Sequence, residues 1–422
     1  MNTVSKNLNS NITYKLFYFL VLVLFLRVDL VFENNTPTGG DMGAHIVAID
    51  TFIKDFIPNF QINGWSNDWF SGYPLYYFYF PLPAIITFFF NLIFPFGVAF
   101  KIMVVMSMIL VVYSIEKLMR NTPNQISIFG ATAGLFYVFT ESFTIYGGNL
   151  ASTLAGQFSF AYSLAFANLS IFYLIKSKNN FRFPISSTFL ALCLLSHLIP
   201  FIIYSPIYAF YWLSKKQNLN QRVLSISIFL GLVSRWSVSL LVNLEYTTNM
   251  SYTPFSKLED LIKEDILPMV FILISLLVVK GKNLIKNKTY NIFDFYIISS
   301  SVLLYFFVPE GALWNGRLIP FFNLGVVFLF FKAIEIFIED IDLFQHGVSL
   351  LTITFLGGTI YCLYIFYEKW SNNQSYLNLY IPIILLIIIF AFLNFNNVAI
   401  QLNMLIVSLI SVSYTHLTLP TT

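Results

Sequence analysis

Residues 39–83, GGDMGAHIVAIDTFIKDFIPNFQINGWSNDWFSGYPLYYFYFPLP, decide how this chain is read. They form a long polar interruption between a first apolar run, Tyr14–Phe32, and the apolar runs that follow. The stretch holds four carboxylates, Asp41, Asp50, Asp55 and Asp68, one histidine, His45, and a return path rich in Trp, Gly, Tyr and Pro. Acid–base chemistry needs polar groups, and this chain has few places to keep them.

The scarcity is a matter of composition. Of 422 residues, 57% are hydrophobic, 19% aromatic and only 10% charged, and mean hydropathy is +0.74. Soluble domains carry about 25% charged residues. Apolar runs of roughly 20 residues recur along the chain, the length needed to span a bilayer as a helix. These features exclude a soluble enzyme. They predict an all-α polytopic membrane protein with about 13 transmembrane helices. One transmembrane domain is expected over residues 1–412: a first span at 14–32, a first extracytoplasmic loop at 33–81 carrying interfacial helices, and the remaining spans at 82–412. Residues 413–422, SYTHLTLPTT, depart from the composition of the rest and resemble a translated adapter, so they read as a non-native tail. Cys193 and Cys362 both lie in apolar runs and offer neither a disulfide framework nor zinc spacing. Phosphate-cradling glycine loops and nucleic-acid signatures are missing from the sequence. No cofactor, metal-ligand set or nucleic-acid partner is therefore expected.

Charge placement sets the orientation. Fifteen of the 23 Lys and Arg fall in residues 1–15, 116–125, 176–182, 215–222 and 280–288 and at Lys332. The positive-inside rule makes that face cytoplasmic. The alternate loops, Gly39–Pro83, Gly147–Gly156, Ser196–Pro200, Glu245–Asp265, Pro309–Arg317 and Glu368–Asn378, then face outward. Between Leu82 and Ile115 hydropathy suggests two crossings, whereas the charges ask for an odd number. Most of the reactive-looking residues fall on the outward face, and none of them was used to orient it.

Four motifs on that face hold candidate chemistry. In GGDMGAH, Asp41 and His45 stand four apart and share a face if Ala44–Phe56 is an amphipathic interfacial helix. A carboxylate against an apolar wall suits a general base, and an aspartate before a helical run also suits an N-cap. Asp50 and Asp55 fit the solvated face of that helix. In NGWSNDWFSGYPL, Asp68 lies between Trp65 and Trp69, an aromatic and acidic pattern that suits sugar, although the aromatics also fit an interfacial belt. In GGNLASTLAGQF, small residues around Asn149 allow close approach of a ligand or of another helix. In WNGRLIP, Arg317 is placed to meet a phosphate as a two-pronged donor or to snorkel to the interface. His197 sits at the tip of a helical hairpin, where a ligand role competes with a structural hydrogen bond. Arg235 lies inside a span and needs a partner; Glu141 and Glu245 are the acidic candidates.

These stretches together carry a resemblance. The ordered set D-x-G-x-H, W-x-x-D-W-F-x-G-Y-P-L, Y-G-G-N-L-A-S-T-L-A-G, L-S-H-L and W-N-G-R-L-I-P resembles prokaryotic membrane proteins labelled 6-pyruvoyl-tetrahydropterin-synthase-related. That family is itself similar to GT-C glycosyltransferases and to mycobacterial arabinofuranosyltransferases. The resemblance spans roughly Tyr14 to Phe331. It implies a polyprenyl-phosphate-linked sugar as donor, a membrane lipid setting, and a glycan, lipid or protein acceptor. It also implies inversion at the anomeric carbon. The base position falls on Asp41, Arg317 would meet the leaving phosphate, and His45, Asn149 and His197 would line the pocket. A divalent cation is compatible with such a site. At Gln157 the chain departs from an expected acid. A transporter or flippase of lipid-linked sugars, supported by Arg235 and the Pro95/Gly97 break, and a polymerase or ligase of envelope polysaccharide, which also keeps arginines on the outer face, are the alternatives.

Overall fold

The computed structural model describes residues 26, 28–119, 128–140, 145–176, 182–248, 252–262, 266, 270, 292–309 and 313–340. Most of the expected first span, Glu141, the 280–288 basic run, Glu310, the crossings expected beyond residue 340 and the 413–422 tail lie outside them.

The protein is an α-helical membrane protein. Among the described residues, four stretches are long and apolar enough to cross a bilayer: Phe96–Met119, Leu150–Ile175, Leu219–Val242 and Asn315–Ala333. The principal helices run α1 Met42–Thr51, α2 Leu82–Asn91, α3 Phe96–Met119, α4 Ile128–Phe139, α5 Phe158–Ile175, α6 Arg182–Ser196, α7 Leu198–Ser214, α8 Leu219–Val242, α9 Ile292–Phe307 and α10 Ile319–Asp340. Ten residues give α2 a length of about 15 Å, half of what a crossing needs. The 24-residue α3 follows it directly. One short helix and one of crossing length thus occupy the segment that hydropathy divides into two spans, because apolar content alone does not report helix length.

At the centre lies α5, almost wholly buried and packed against α3, α6 and α7. Its polar residues are matched inside the bundle. The Tyr204 hydroxyl donates to Asn168 Oδ1 at 2.6 Å, Asn168 Nδ2 donates to Ser114 Oγ at 3.1 Å, and the Tyr162 hydroxyl donates to the Met103 carbonyl at 2.7 Å. Such pairs hold helices together where no water competes. Deeper still, Lys332 Nζ meets Asp294 Oδ2 at 2.6 Å, each side chain 2% exposed, tying α10 to α9. This corrects the charge reading at one point. Lys332 is a buried, paired cation and does not report a membrane face.

The first loop is only partly helical. After α1, Phe52–Phe56 widens into a π-turn, and Gly64–Ser66 (β1) pairs antiparallel with Tyr73–Leu75 (β2), Trp65 opposite Pro74. Met42, Ala48, Ile49, Phe52 and Phe56 form the buried stripe, while Lys54 and Asp50 pair on the exposed side at 2.7 Å. Lys101 of α3 anchors the approach to the loop: its Nζ donates to the Leu30 and Glu33 carbonyls and to Asn35 Oδ1, at 2.6, 2.7 and 2.7 Å. Helix α8 anchors the far side through Asn63 Nδ2 to Ser239 Oγ, Trp236 Nε1 to the Tyr79 carbonyl, and Arg235 Nη2 to the Phe60 carbonyl. Arg235 is thus satisfied by a backbone carbonyl of the loop at 2.7 Å, where the sequence suggested a carboxylate.

Candidate active site

Asp41 occupies the position before α1 but does not cap it. Its backbone is at φ −86°, ψ 6°, and its carboxylate makes no bond to an N–H of its own helix. The segment is held against residues 155–157 instead. The Asp41 N–H donates to the Ala155 carbonyl at 2.9 Å. Gly40 lies so close to the Ala155 backbone that any side chain would collide with it, and a Cβ on Gly156, at φ +107°, would sit 2.8 Å from Asp41 Cβ. Two glycines therefore permit the approach.

That approach puts Gln157 between the acid and the cation. Gln157 Nε2 donates to Asp41 Oδ2 at 3.4 Å. Arg317 Nη1 donates to Gln157 Oε1 at 2.7 Å and to the Tyr146 carbonyl at 3.2 Å. The oxygen and nitrogen of one amide are under about 2.6 Å apart, so the carboxylate and the guanidinium lie within about 9 Å of each other. Residues 276 positions apart in sequence, from two separate loops, share one site. Asp41 is exposed, Arg317 half-buried and Gln157 buried. Both Arg317 contacts run through a single nitrogen, leaving Nε and Nη2 without a partner among the described residues.

Aromatic rings and two histidines wall the site. The His45 ring packs against Phe158 (centroids 4.8 Å) and Tyr79 (5.4 Å). Burial lowers its pKa to about 4; the Asp41 charge and a hydrogen bond with the Gly156 backbone oppose that shift without reversing it. His45 is therefore a neutral imidazole at pH 7. Burial pushes the Tyr79 phenol up to about 12, against the pull of Arg317, so it too stays uncharged. His197 is the single residue between α6 and α7. Its Nδ1 accepts the Ile199 N–H at 3.2 Å and its ring stacks on Phe80 at 4.7 Å. It lies within electrostatic reach of Arg317.

Two residues singled out in the sequence stand elsewhere. Asp68 accepts the Thr51 hydroxyl at 2.9 Å, binding the strand turn to the far end of α1, ten positions from Asp41. Asn149 is fully buried: its Nδ2 donates to the Thr140 carbonyl at 2.6 Å and its Oδ1 accepts the Ser152 N–H at 2.9 Å. Its amide works as a helix cap. Two residues that sequence reasoning passed over or discounted belong to the site: Gln157 and Tyr79. The signal for Gln157 was its place, directly after the small-residue run that allows close packing.

As for metals, among the described residues no three His, Cys, Asp or Glu side chains converge. A divalent cation would find the Asp41 carboxylate and would need substrate phosphate oxygens to complete its shell, as magnesium commonly does.

The helical framework and the placement of this site at converging loops invite comparison with solved membrane enzymes. The fold is shared with ArnT. The structure of ArnT from Cupriavidus metallidurans in the apo state aligns over 96% of this chain and 77% of its own length, with a TM-score of 0.55 and 12% identity. The same ArnT bound to undecaprenyl phosphate aligns over 95% and 76%, with a TM-score of 0.52 and 12% identity. At that identity the likeness is one of fold: this chain is an ArnT-like polytopic helical membrane protein. No protein-family model and no curated protein sequence matches the chain.

Proposed function

We propose that this protein is a membrane glycosyltransferase that moves a sugar from a polyprenyl-phosphate donor to an acceptor hydroxyl, with inversion, at the extracytoplasmic face of a prokaryotic plasma membrane. The observation that carries the proposal is the Asp41–Gln157–Arg317 arrangement. The ArnT-like fold supports it, as does the undecaprenyl phosphate bound to that neighbour. The motif set resembling 6-pyruvoyl-tetrahydropterin-synthase-related membrane proteins agrees with it.

The chemistry asks little of the protein. Asp41 takes the proton of the acceptor hydroxyl as its oxygen attacks the anomeric carbon. The bond from that carbon to the phosphate oxygen breaks, its electron pair stays with the lipid phosphate, and the second negative charge on that phosphate faces Arg317. A guanidinium with free N–H groups aimed at a phosphate stabilises the charge where it develops. A separation within about 9 Å leaves room for one sugar ring and its phosphate between base and clamp. Neutral His45 and Tyr79 supply hydrogen bonds without competing for the charge. His197 backs the Arg317 side of the site. The transport reading rested on Arg235 and on the Pro95/Gly97 break. Arg235 is engaged by the Phe60 carbonyl, and Gly97 lies against the Asn35 backbone.

The test is reconstitution in vesicles with a panel of polyprenyl-phosphate sugars. Wild type is expected to release lipid phosphate from at least one, and Asp41→Asn to abolish that release while retaining the fold by circular dichroism. Lipid movement without bond cleavage would replace this reading with transport.

A further inference from the structure

The ends of α5 to α8 farthest from Asp41 and Arg317 carry a cluster of cations that the transfer mechanism does not use. Gln157 and His197 stand at the near ends of α5, α6 and α7. Lys176, Arg182, Lys215 and Arg222 stand at the other, about 27 Å away along the 18 residues of α5. The charge is one-sided. Residues 142–244 contain no Asp or Glu, and six of their seven Lys and Arg fall between 176 and 222. On the neighbouring helices Asp294 is spent on Lys332, and Glu116 is buried.

These cations are fixed in place. Lys215 Nζ donates to the Ile175 carbonyl at 2.8 Å and Arg182 Nη1 to the Lys176 carbonyl at 3.1 Å, so both close the C-terminal end of α5. Arg222 Nη2 donates to the Lys215 and Leu213 carbonyls at 2.8 and 3.5 Å. Its guanidinium lies 4.6 Å over the Trp212 ring. That indole stacks on Phe183 at 5.7 Å, and its Nε1 donates to Ser225 Oγ at 3.2 Å. Adjacent carbonyls hold Lys215 and Arg182, and the Lys215 carbonyl holds Arg222, so the three charges share one patch. Each guanidinium spends one terminal nitrogen on these bonds. The other terminal nitrogen and Nε of both have no partner among the described residues. An apolar wall adjoins the patch: Phe210 and Leu213 of α7 and Leu219, Val223 and Leu224 of α8 are 45–73% exposed. Only 17% of the α8 span is buried, against 61–89% in the other three described spans.

We propose that this patch binds the phosphate of an anionic phospholipid, in the leaflet opposite the candidate site, with the acyl chains along α7 and α8. A carbonyl orients a cation without cancelling its charge, so the patch keeps a net positive field. A phosphate oxygen accepts the open N–H groups of Arg182 and Arg222. Basic pockets between helices at a membrane face suit acidic headgroups, and the apolar wall favours a lipid over free phosphate. Because the cations are already held, little ordering cost remains. The inference stands apart from the transferase reading.

The test uses the full-length protein in neutral detergent, stripped of lipid and titrated with phosphatidylglycerol in mixed micelles. Lipid retention is followed by native mass spectrometry, and melting temperature in parallel. Phosphatidylglycerol should be retained saturably and raise the melting temperature; phosphatidylcholine and inorganic phosphate should do neither. Lys215→Gln and Arg222→Gln should each weaken phosphatidylglycerol affinity roughly fivefold, the worth of one basic residue near an acidic membrane surface. Arg222→Lys should recover most of that loss. Arg235→Gln removes a cation from the other end of α8 and should leave the affinity unchanged. Where Arg222→Gln folds poorly through loss of its carbonyl bonds, Lys216→Gln decides in its place: Lys216 is exposed at the same turn, has no partner among the described residues, and should show the same direction of loss. Equal retention of phosphatidylcholine, an equal response to inorganic phosphate, wild-type affinity in the deciding variant, or the same loss in Arg235→Gln would overturn the lipid assignment.

Discussion

Two acid–cation pairs in this protein are built in opposite ways. Asp294 and Lys332 touch directly at 2.6 Å, both 2% exposed, between α9 and α10. Asp41 and Arg317 are kept apart by the neutral amide of Gln157, with the carboxylate exposed. A buried pair in direct contact satisfies itself, and removing one partner strands the other. A pair held apart by a spacer keeps its binding capacity for something that fits between. The first is structure; the second is, on the proposed reading, the clamp for a ligand bearing a proton to lose at one end and negative charge at the other.

The contrast can be broken by substitution. Asp41→Asn should lower turnover by roughly 10²–10⁴-fold, the usual worth of a general base, and leave the melting temperature in detergent near wild type. Lys332→Ala should do the reverse. Stranding Asp294 should cost about 3–5 kcal/mol of stability, seen as poor yield and early melting, with turnover per folded molecule little changed. If both variants lost stability equally, the distinction between the two pairs would fail.

A pH series sharpens the picture around His45. Its folded-state pKa is lowered from 6.5 to about 4. Between those values the unfolded chain binds the proton and the folded one does not. Stability should be full above about pH 6.5 and decline as pH falls toward 4, by up to about 3 kcal/mol. Melting at pH 7.5 and pH 5 should show the loss in wild type and a smaller one in His45→Gln.

Gln157→Glu tests the spacer itself. A carboxylate there would pair with Arg317 directly and convert the open clamp into a copy of the Asp294–Lys332 design. The KM for donor should rise roughly tenfold, since an occupied guanidinium has less to offer a phosphate. The acid limb of the pH–rate profile should move upward, because a second carboxylate beside Asp41 raises its proton affinity. Smallest of all, Arg235→Ala should cost about 1 kcal/mol or less, the net worth of one exposed hydrogen bond to the Phe60 carbonyl.

Much of this design was legible in the sequence because it rests on residue type and order. The apolar runs announced a membrane protein, and the loop motifs pointed to Asp41 and Arg317. What stayed hidden depends on backbone partners and on three-dimensional closure. Arg235 and Asn315 are satisfied by carbonyls, which every residue has and which therefore leave no mark in a sequence. The strand pair at Trp65–Tyr73 was obscured by an aromatic pattern that fits an interfacial belt equally well. Gln157 read as a missing acid, whereas its neutral amide is what holds the acid and the cation at a usable separation.

The most direct measurement is a double-mutant cycle on turnover of a polyprenyl-phosphate sugar, using Asp41→Asn, Arg317→Gln and the two combined. If both groups act on one transition state, the double variant should be little worse than the worse single one. If the two losses multiply in full, Asp41 and Arg317 act independently, and the shared site described above is contradicted.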